Sequence, residues 1–445
     1  MIELLQRPDR QRHHSLVESF LDRFHETWPC GVLEWVLRPM LHQPFVKSAR
    51  GFSLPSSLGL IPHLVAAQAR QRGVQILLQG RVTFAIDGTN LSRVLKPLIE
   101  TRTVHEGNAS RTLPVLNQRR LLYWTKLATR YANSLIQSAK QAGLPVWPKE
   151  VRTYCLAGAR ALVRAEGALT SDKTGLLVVA TQHAPNMRAL LATARQRAVP
   201  SVYFPHAPTA ANRQYSDLPV DYAGLRGAGE VDFYRQCGVS GDLPQVGNPG
   251  VGDFLEDQAR ILKEAPVFAV SPHDAAVLAD LFRLTVSAIG AENVLVAPHP
   301  RSDRKELTRN MPLSWGLWSK GTTLDLLRRG PKFVVQHSSG VAWEALALGI
   351  PVIQLSYPKE SAPYPVIARP YVLFAHSTPS LSEAVAQAVA LSSDRKGRDE
   401  LRSWATYWCD SVGRRAREAC VELINQALQG GLRSDVLLDG WAFRN

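Results

Sequence analysis

Phe333-Val334-Val335-Gln336-His337-Ser338-Ser339-Gly340-Val341-Ala342-Trp343-Glu344-Ala345-Leu346-Ala347-Leu348-Gly349-Ile350-Pro351-Val352-Ile353 decides the fold of this chain. A short apolar run stops on small polar residues. A helical stretch follows, closes on Gly349, and gives way to another apolar run. Strand, helix and strand this tightly spaced form one unit of a parallel α/β sheet. Upstream, Val294-Leu295-Val296-Ala297-Pro298-His299-Pro300-Arg301 is a second strand that ends as abruptly.

The same rhythm extends outward. Val267–Val270, Val294–Ala297, Lys332–Val335, Pro351–Leu355 and Tyr371–Phe374 read as strands. Ala275–Ile289, Thr323–Arg329, Val341–Leu348 and Leu381–Ala390 read as helices between them. Upstream, 73–80 and 81–88 read as strands bounded by turn residues, and 105–118 as a loop. Helices are expected over 118–142 and 151–166. The run Gly175–Ala180 is a strand, Met187–Arg197 a helix and Pro200–Phe204 a strand ending at Pro205-His206-Ala207. Glycines and prolines crowd 240–265, which reads as a linker, and Leu401–Gln429 as long terminal helices. The expected fold class is therefore α/β, with two doubly wound, Rossmann-like domains facing across a central cleft and helices at the C-terminus. The expected bounds are 1–250, 251–400 and a helical segment 401–445 that is free to cross back to the first domain.

Composition narrows the function. The chain has 445 residues, 45% hydrophobic and 20% charged, which suits a globular protein with large cores. No apolar run is long enough to span a bilayer, and the start lacks the layout of a signal peptide. A cytoplasmic location, with peripheral contact at the inner face of an anionic membrane, is the expectation. The amphipathic stretch Val32–Leu41 could serve that contact or pack on its own domain. Five scattered cysteines without a Cys-x-x-Cys pair point to free thiols rather than disulfides or structural zinc. The net charge of +14 attracts anions. Arginine far outnumbers lysine, which suits phosphate contacts but also follows from genome composition. No basic run marks a nucleic-acid tail, and nucleic acid is not an expected partner.

The chemistry sits at the strand ends. Ser338, Ser339 and Gly340 lie where a helix starts, with hydroxyls and orphan amides aimed at one point. Gly340 would let a ligand approach the backbone. Glu344 lies one turn on, among apolar neighbours, and no capping box explains it. It can accept hydrogen bonds from ribose hydroxyls. His299, Pro300 and Arg301 end the other strand and could meet a phosphate from its far side.

These motifs resemble the nucleotide-binding half of GT-B glycosyltransferases. The closest likeness is to bacterial sialyltransferases and capsule Kdo transferases, which carry a His-Pro and a Ser/Ser-Thr motif. Glu344 matches the ribose-binding glutamate of related proteins such as lipid A disaccharide synthase and non-hydrolysing UDP-sugar epimerases. The resemblance is clear over 265–390, fainter over 175–255 and poor over 1–150. It implies donor nucleotide and phosphate binding by His299, Pro300, Arg301, Ser338, Ser339, Gly340 and Glu344. It implies a nucleotide-sugar substrate, CMP- or UDP-linked, with no metal and no other cofactor. The acceptor would be a glycan, a glycolipid or a phosphorylated molecule of a cell-surface polysaccharide. His-Pro families carry an acidic pair before a glycine. Here Ile86-Asp87-Gly88 keeps the second acid, so Asp87 is the candidate base. His206 stands where relatives have a Gln-His-Gly turn and is the second catalytic candidate, with Asp217 and Asp221 as alternatives. A sugar-nucleotide epimerase of the same fold and a non-catalytic, anionic-polymer-binding relative are the other readings.

Overall fold

The computed structural model describes residues 7–28, 31–41, 45, 74–112, 117–169, 173–209, 218–252, 265–269, 275–289, 294–298, 305, 308–309, 317–318, 323–336, 339–355, 371–375 and 377–432. His299, Pro300, Arg301, Ser338, Asp217 and Cys30 lie outside these.

In the first half, helices α1 (Arg7–Thr27) and α2 (Val32–Leu41) precede strands β1 (Gln75–Gln79) and β2 (Val82–Ile86). Then come α3 (Gly88–Glu106), β3 (Ser110–Thr112), α4 (Gln118–Gln141), α5 (Pro148–Ala168), β4 (Leu176–Val179), α6 (Pro185–Gln196), β5 (Ser201–Tyr203), β6 (Tyr222–Ala223) and α7 (Ala228–Gln236). The second half holds β7 (Val267–Ala269), α8 (Ala275–Ile289), β8 (Leu295–Ala297), β9 (Leu317–Trp318), α9 (Thr323–Arg328), β10 (Val334–Gln336), α10 (Val341–Ala347), β11 (Val352–Leu355) and β12 (Leu373–Ala375). Helices α11 (Thr378–Ser393), α12 (Arg395–Trp408) and α13 (Gly413–Gly430) complete it.

The second sheet is parallel throughout, in the order β12-β11-β10-β7-β8-β9. That is the doubly wound order, with its reversal between β7 and β10. Crevices at the carboxyl end of such a reversal are where open α/β sheets bind ligands. Buried residues on its two faces form separate clusters, one around Trp343, Leu346 and Trp408 and the other around Phe268, Phe282 and Leu381.

The first sheet, β3-β1-β2-β4-β5-β6, departs from the doubly wound expectation. Strands β2, β4, β5 and β6 run parallel, but β1 is antiparallel to both β2 and β3. Only two residues, Gly80 and Arg81, join β1 to β2, and so short a connection permits only a hairpin. Gly80 takes a positive φ of 58°, which glycine adopts without strain. The expected loop at 105–118 contains β3, three residues with no apolar alternation to betray them.

Val32–Leu41 packs on its own domain. Leu33, Trp35, Val36, Leu37 and Leu41 of α2 are buried. Arg38 pairs with Glu18 at 2.7 Å and with Asp22 of α1. Arg188 of α6 lies over the Trp35 ring at 4.7 Å. A share of the arginine content is thus internal scaffolding rather than a phosphate-binding surface. No described helix is long and apolar enough to cross a membrane. None of the four described cysteines is in a disulfide; Cys155, Cys409 and Cys420 are buried and Cys237 is exposed.

The halves are tied together at several points. Cys420, Leu423, Ile424 and Ala427 of α13 belong to the core of the first domain. Residues read as linker are hydrogen-bonded structure. Val246 N–H donates to Leu225 O at 2.7 Å, Asn248 N–H to Ser411 O at 2.8 Å, and Gly413 N–H to Val251 O at 3.0 Å. Gly247, with φ of 77°, sits so close to Ser411 that any side chain would collide.

At the centre of the junction is an ion pair with almost no exposure. Arg226 Nε and Nη2 donate to Glu230 Oε1 at 2.9 and 2.5 Å. Glu230 also accepts from the Arg226 N–H, the Thr209 N–H and the Thr209 hydroxyl. Burial opposes the guanidinium charge, but Glu230 more than offsets it and the Arg226 pKa is raised. Losing one partner of a buried pair leaves the other uncompensated, at a cost of about 3–5 kcal/mol. Glu230→Gln should lose about that much in urea unfolding. A loss below about 1 kcal/mol, as for an exposed pair, would show that the junction does not rest on it.

Candidate functional site

Three parallel strands of the first sheet end side by side on polar residues. Asp87 follows β2 and stands at the start of α3, half-buried, making no side-chain capping bond. Its Oδ2 accepts from Asn186 Nδ2 at 3.3 Å. Asn186 belongs to the first turn of α6, which follows β4. His206 follows β5, and its Nδ1 lies 2.7 Å from Ala180 O. A carbonyl only accepts, so Nδ1 carries the proton and Nε2 the lone pair in the neutral ring. The two catalytic candidates therefore share one sheet edge.

Between them the structure adds a residue that the sequence reading missed. His183 comes four residues after Val179, the last residue of β4, much as His206 follows β5. Its Nδ1 lies 2.9 Å from Thr181 Oγ1. Burial, the neighbouring His206 and Arg188 lower its pKa from 6.5 to about 4. His183 is thus neutral near pH 7. The available signal was Thr181-Gln182-His183 directly beyond a strand.

Asp221, an alternative candidate, is structural. Its carboxylate accepts from Arg195 Nη1 at 2.9 Å and from both the N–H and the hydroxyl of Ser201 at 2.8 Å. Those bonds tie β6 to β5 and leave it inside the domain.

Ser339 and Gly340 lie beyond β10, beside the reversal of the second sheet. Ser339 Oγ is 3.4 Å from the Val341 N–H, a contact within the turn itself. Gly340 has an ordinary helical φ of −66°. A methyl group built on it would lie 3.1 Å from Pro208 Cδ. The missing side chain therefore makes room for Pro208 of the first domain. Pro208 is two residues beyond His206, so this contact brings the two carboxyl edges together.

Glu344 lies one turn further on, in α10. Its Oε2 is buried and accepts no hydrogen bond from the described residues. Burial raises its pKa, against the pull of Arg93, of its own backbone and of Arg226. Arg93 belongs to α3, on the first domain, and is exposed. An unsatisfied buried carboxylate costs stability unless something else supplies donors. Arg93, absent from the sequence-level candidates, gives the surroundings of Glu344 a positive charge suited to an anionic ligand, whereas the charge of Arg226 is offset by Glu230.

No family model and no curated protein sequence matches the chain. Among solved structures, it is similar to the UDP-GlcNAc 2-epimerase of Methanocaldococcus jannaschii, with TM-score 0.47 and 12% identity over 76% of this chain and 98% of that one. The UDP-GlcNAc 2-epimerase of Neisseria meningitidis, bound to UDP-GlcNAc, gives TM-score 0.43 and 13% identity over 78% and 98%. The glycosyltransferase SnogD of Streptomyces nogalater gives 0.37 and 16% over 61% and 78%.

The depressed pKa of His183 has a consequence for stability. As pH falls below 6.5, the unfolded chain takes up a proton that the folded chain refuses until about pH 4. The contribution is complete above 6.5 and is lost progressively down to about 4. Thermal melts across that window should fall more steeply for the wild type than for His183→Gln. Equal slopes would mean that His183 is not held neutral.

Proposed function

We propose that this protein is a glycosyltransferase that takes a sugar from a CMP- or UDP-linked donor and passes it to a glycan or glycolipid acceptor of cell-surface polysaccharide. The observation that carries the reading is Glu344. Its buried Oε2 lacks a donor, and it sits beside the sheet reversal with cations of the first domain around it. Ribose hydroxyls would supply the missing donors. Arg93 would meet the phosphates, along with His299 and Arg301 from the end of β8.

The acceptor would lie against the first domain. Asp87 is the proposed base, taking the acceptor hydroxyl proton as the sugar's bond to phosphate breaks. His206, with its lone pair on Nε2, is the second candidate. Cations at the leaving phosphate would stabilise the charge that develops there.

A sugar-nucleotide epimerase is the second reading, favoured by the grouping of Asp87, His183 and His206. Epimerisation needs a proton removed and returned at the sugar, and such a set contains more than one titratable group for it. The two readings separate on incubation with a panel of nucleotide sugars. A transferase releases free nucleotide faster when acceptor is added, whereas an epimerase interconverts the sugar with no acceptor. Asp87→Asn should lower either rate by about 10²–10⁴-fold. Wild-type turnover in the variant would remove Asp87 from the chemistry, and no turnover of any donor by the wild type would sink both readings.

A further inference from the structure

Helix α4 combines three features that its own fold does not require. Its 24 residues include Arg119, Arg120, Lys126, Arg130 and Lys140 and no acidic residue at all. Two arginines stand in its first turn, where the helix dipole favours acids instead. Immediately after them Leu121, Leu122 and Tyr123 are exposed, Leu122 by 58% and Tyr123 by 53%.

The helical period sorts these residues. Trp124, Ala128, Tyr131, Ala132 and Leu135 are buried on one side. Arg119, Leu122, Tyr123, Lys126 and Arg130 recur at spacings of three and four, and all are exposed. They form one outward stripe, basic along its length and apolar near its start. Arg120 belongs to the fold, since it pairs with Glu166 and lies 5.3 Å over the Tyr123 ring. The other three cations are not offset by any acid on their own helix.

We propose that this stripe docks the protein on an anionic lipid bilayer. Leu122 and Tyr123 would enter the boundary between headgroups and acyl chains, while Arg119, Lys126 and Arg130 pair with lipid phosphates. The exposed leucines decide between partners. A nucleic acid would use the charges and could stack on Tyr123, but gains nothing from Leu121 and Leu122. A second copy of the chain would bring like charges together. The pair Arg120–Glu166 places the start of α4 beside the end of α5, which leads to the N-terminal end of β4. Docking there leaves the opposite edge, with Asp87 and His206, uncovered. The inference does not depend on the proposed reaction.

Co-sedimentation of the full chain with vesicles tests it. The wild type should pellet with vesicles containing about one-third phosphatidylglycerol and not with pure phosphatidylcholine. Leu122→Ser/Tyr123→Ser and Arg119→Gln/Lys126→Gln/Arg130→Gln should each weaken binding at least about tenfold. All these positions are exposed, so melting temperatures should hardly change. Val389→Ser, an exposed apolar site on α11, should bind as the wild type does. Equal binding to neutral vesicles, or full binding by the Leu122/Tyr123 variant, overturns the proposal. So does tight binding of a single-stranded RNA, unchanged in that variant, by a protein that vesicles fail to pellet.

Discussion

The buried pair Arg226–Glu230 is the interaction on which the rest of the arrangement depends. Two opposite charges out of water persist only when their remaining bonds are supplied, and here Thr209 and the Arg226 N–H supply them to Glu230 while the Arg226 backbone reaches across the junction. Glu230 holds Thr209, which follows the proline that meets Gly340. The Arg226 carbonyl accepts the Asp410 N–H at 3.0 Å, fixing the turn between α12 and α13. Gly227 and Gly229 let α7 press against Tyr407 and Trp408 with no side chain between. One pair thus anchors the loop after β5 and the crossing helices.

From that anchor the division of labour between the halves follows. The first sheet places Asp87, His183 and His206 on neighbouring strand ends. The second places Glu344 beside its reversal. Under the proposed function each edge alone is incomplete: the first would supply the proton-transfer groups, and the second the carboxylate that meets the nucleotide. The Pro208–Gly340 contact brings them together. Burial explains why the same residue types behave differently within a short distance. Asp221 is consumed by Arg195 and Ser201, whereas Asp87 accepts a hydrogen bond from the Asn186 side-chain amide.

The second domain was legible because parallel strands buried on both faces appear as continuous apolar runs. Val267–Ala269, Leu295–Ala297, Val334–Gln336 and Val352–Leu355 all fall where the apolar runs stand. Helix α8 occupies the very bounds that periodicity marks. The first domain was less legible, since β3 and β6 are too short to show a pattern. The junction was least legible. Arg226 and Glu230 are an unremarkable i, i+4 pair in sequence, and only the fold shows that neither reaches water. Gly340 illustrates the limit from the other side. Its residue type was informative, but a glycine records only that something comes close, and only the fold shows that Pro208 is such a neighbour. Arg93 lies far from Glu344 in sequence and had no motif to mark it.

The central claim is that Glu344 is kept unsatisfied for a nucleotide. Thermal melting of the wild type and Glu344→Gln, each with and without CMP and UDP, tests it most directly. A ligand at about 100 times its Kd stabilises the native state by about 2.7 kcal/mol. The account predicts that the ligand-free variant melts no lower than the wild type, since a buried carboxylate without donors has been neutralised. It also predicts that the nucleotide-dependent rise, present in the wild type, is largely lost in the variant. A variant that melts lower without ligand yet keeps the full rise would contradict it, and would make Glu344 a structural residue of the junction.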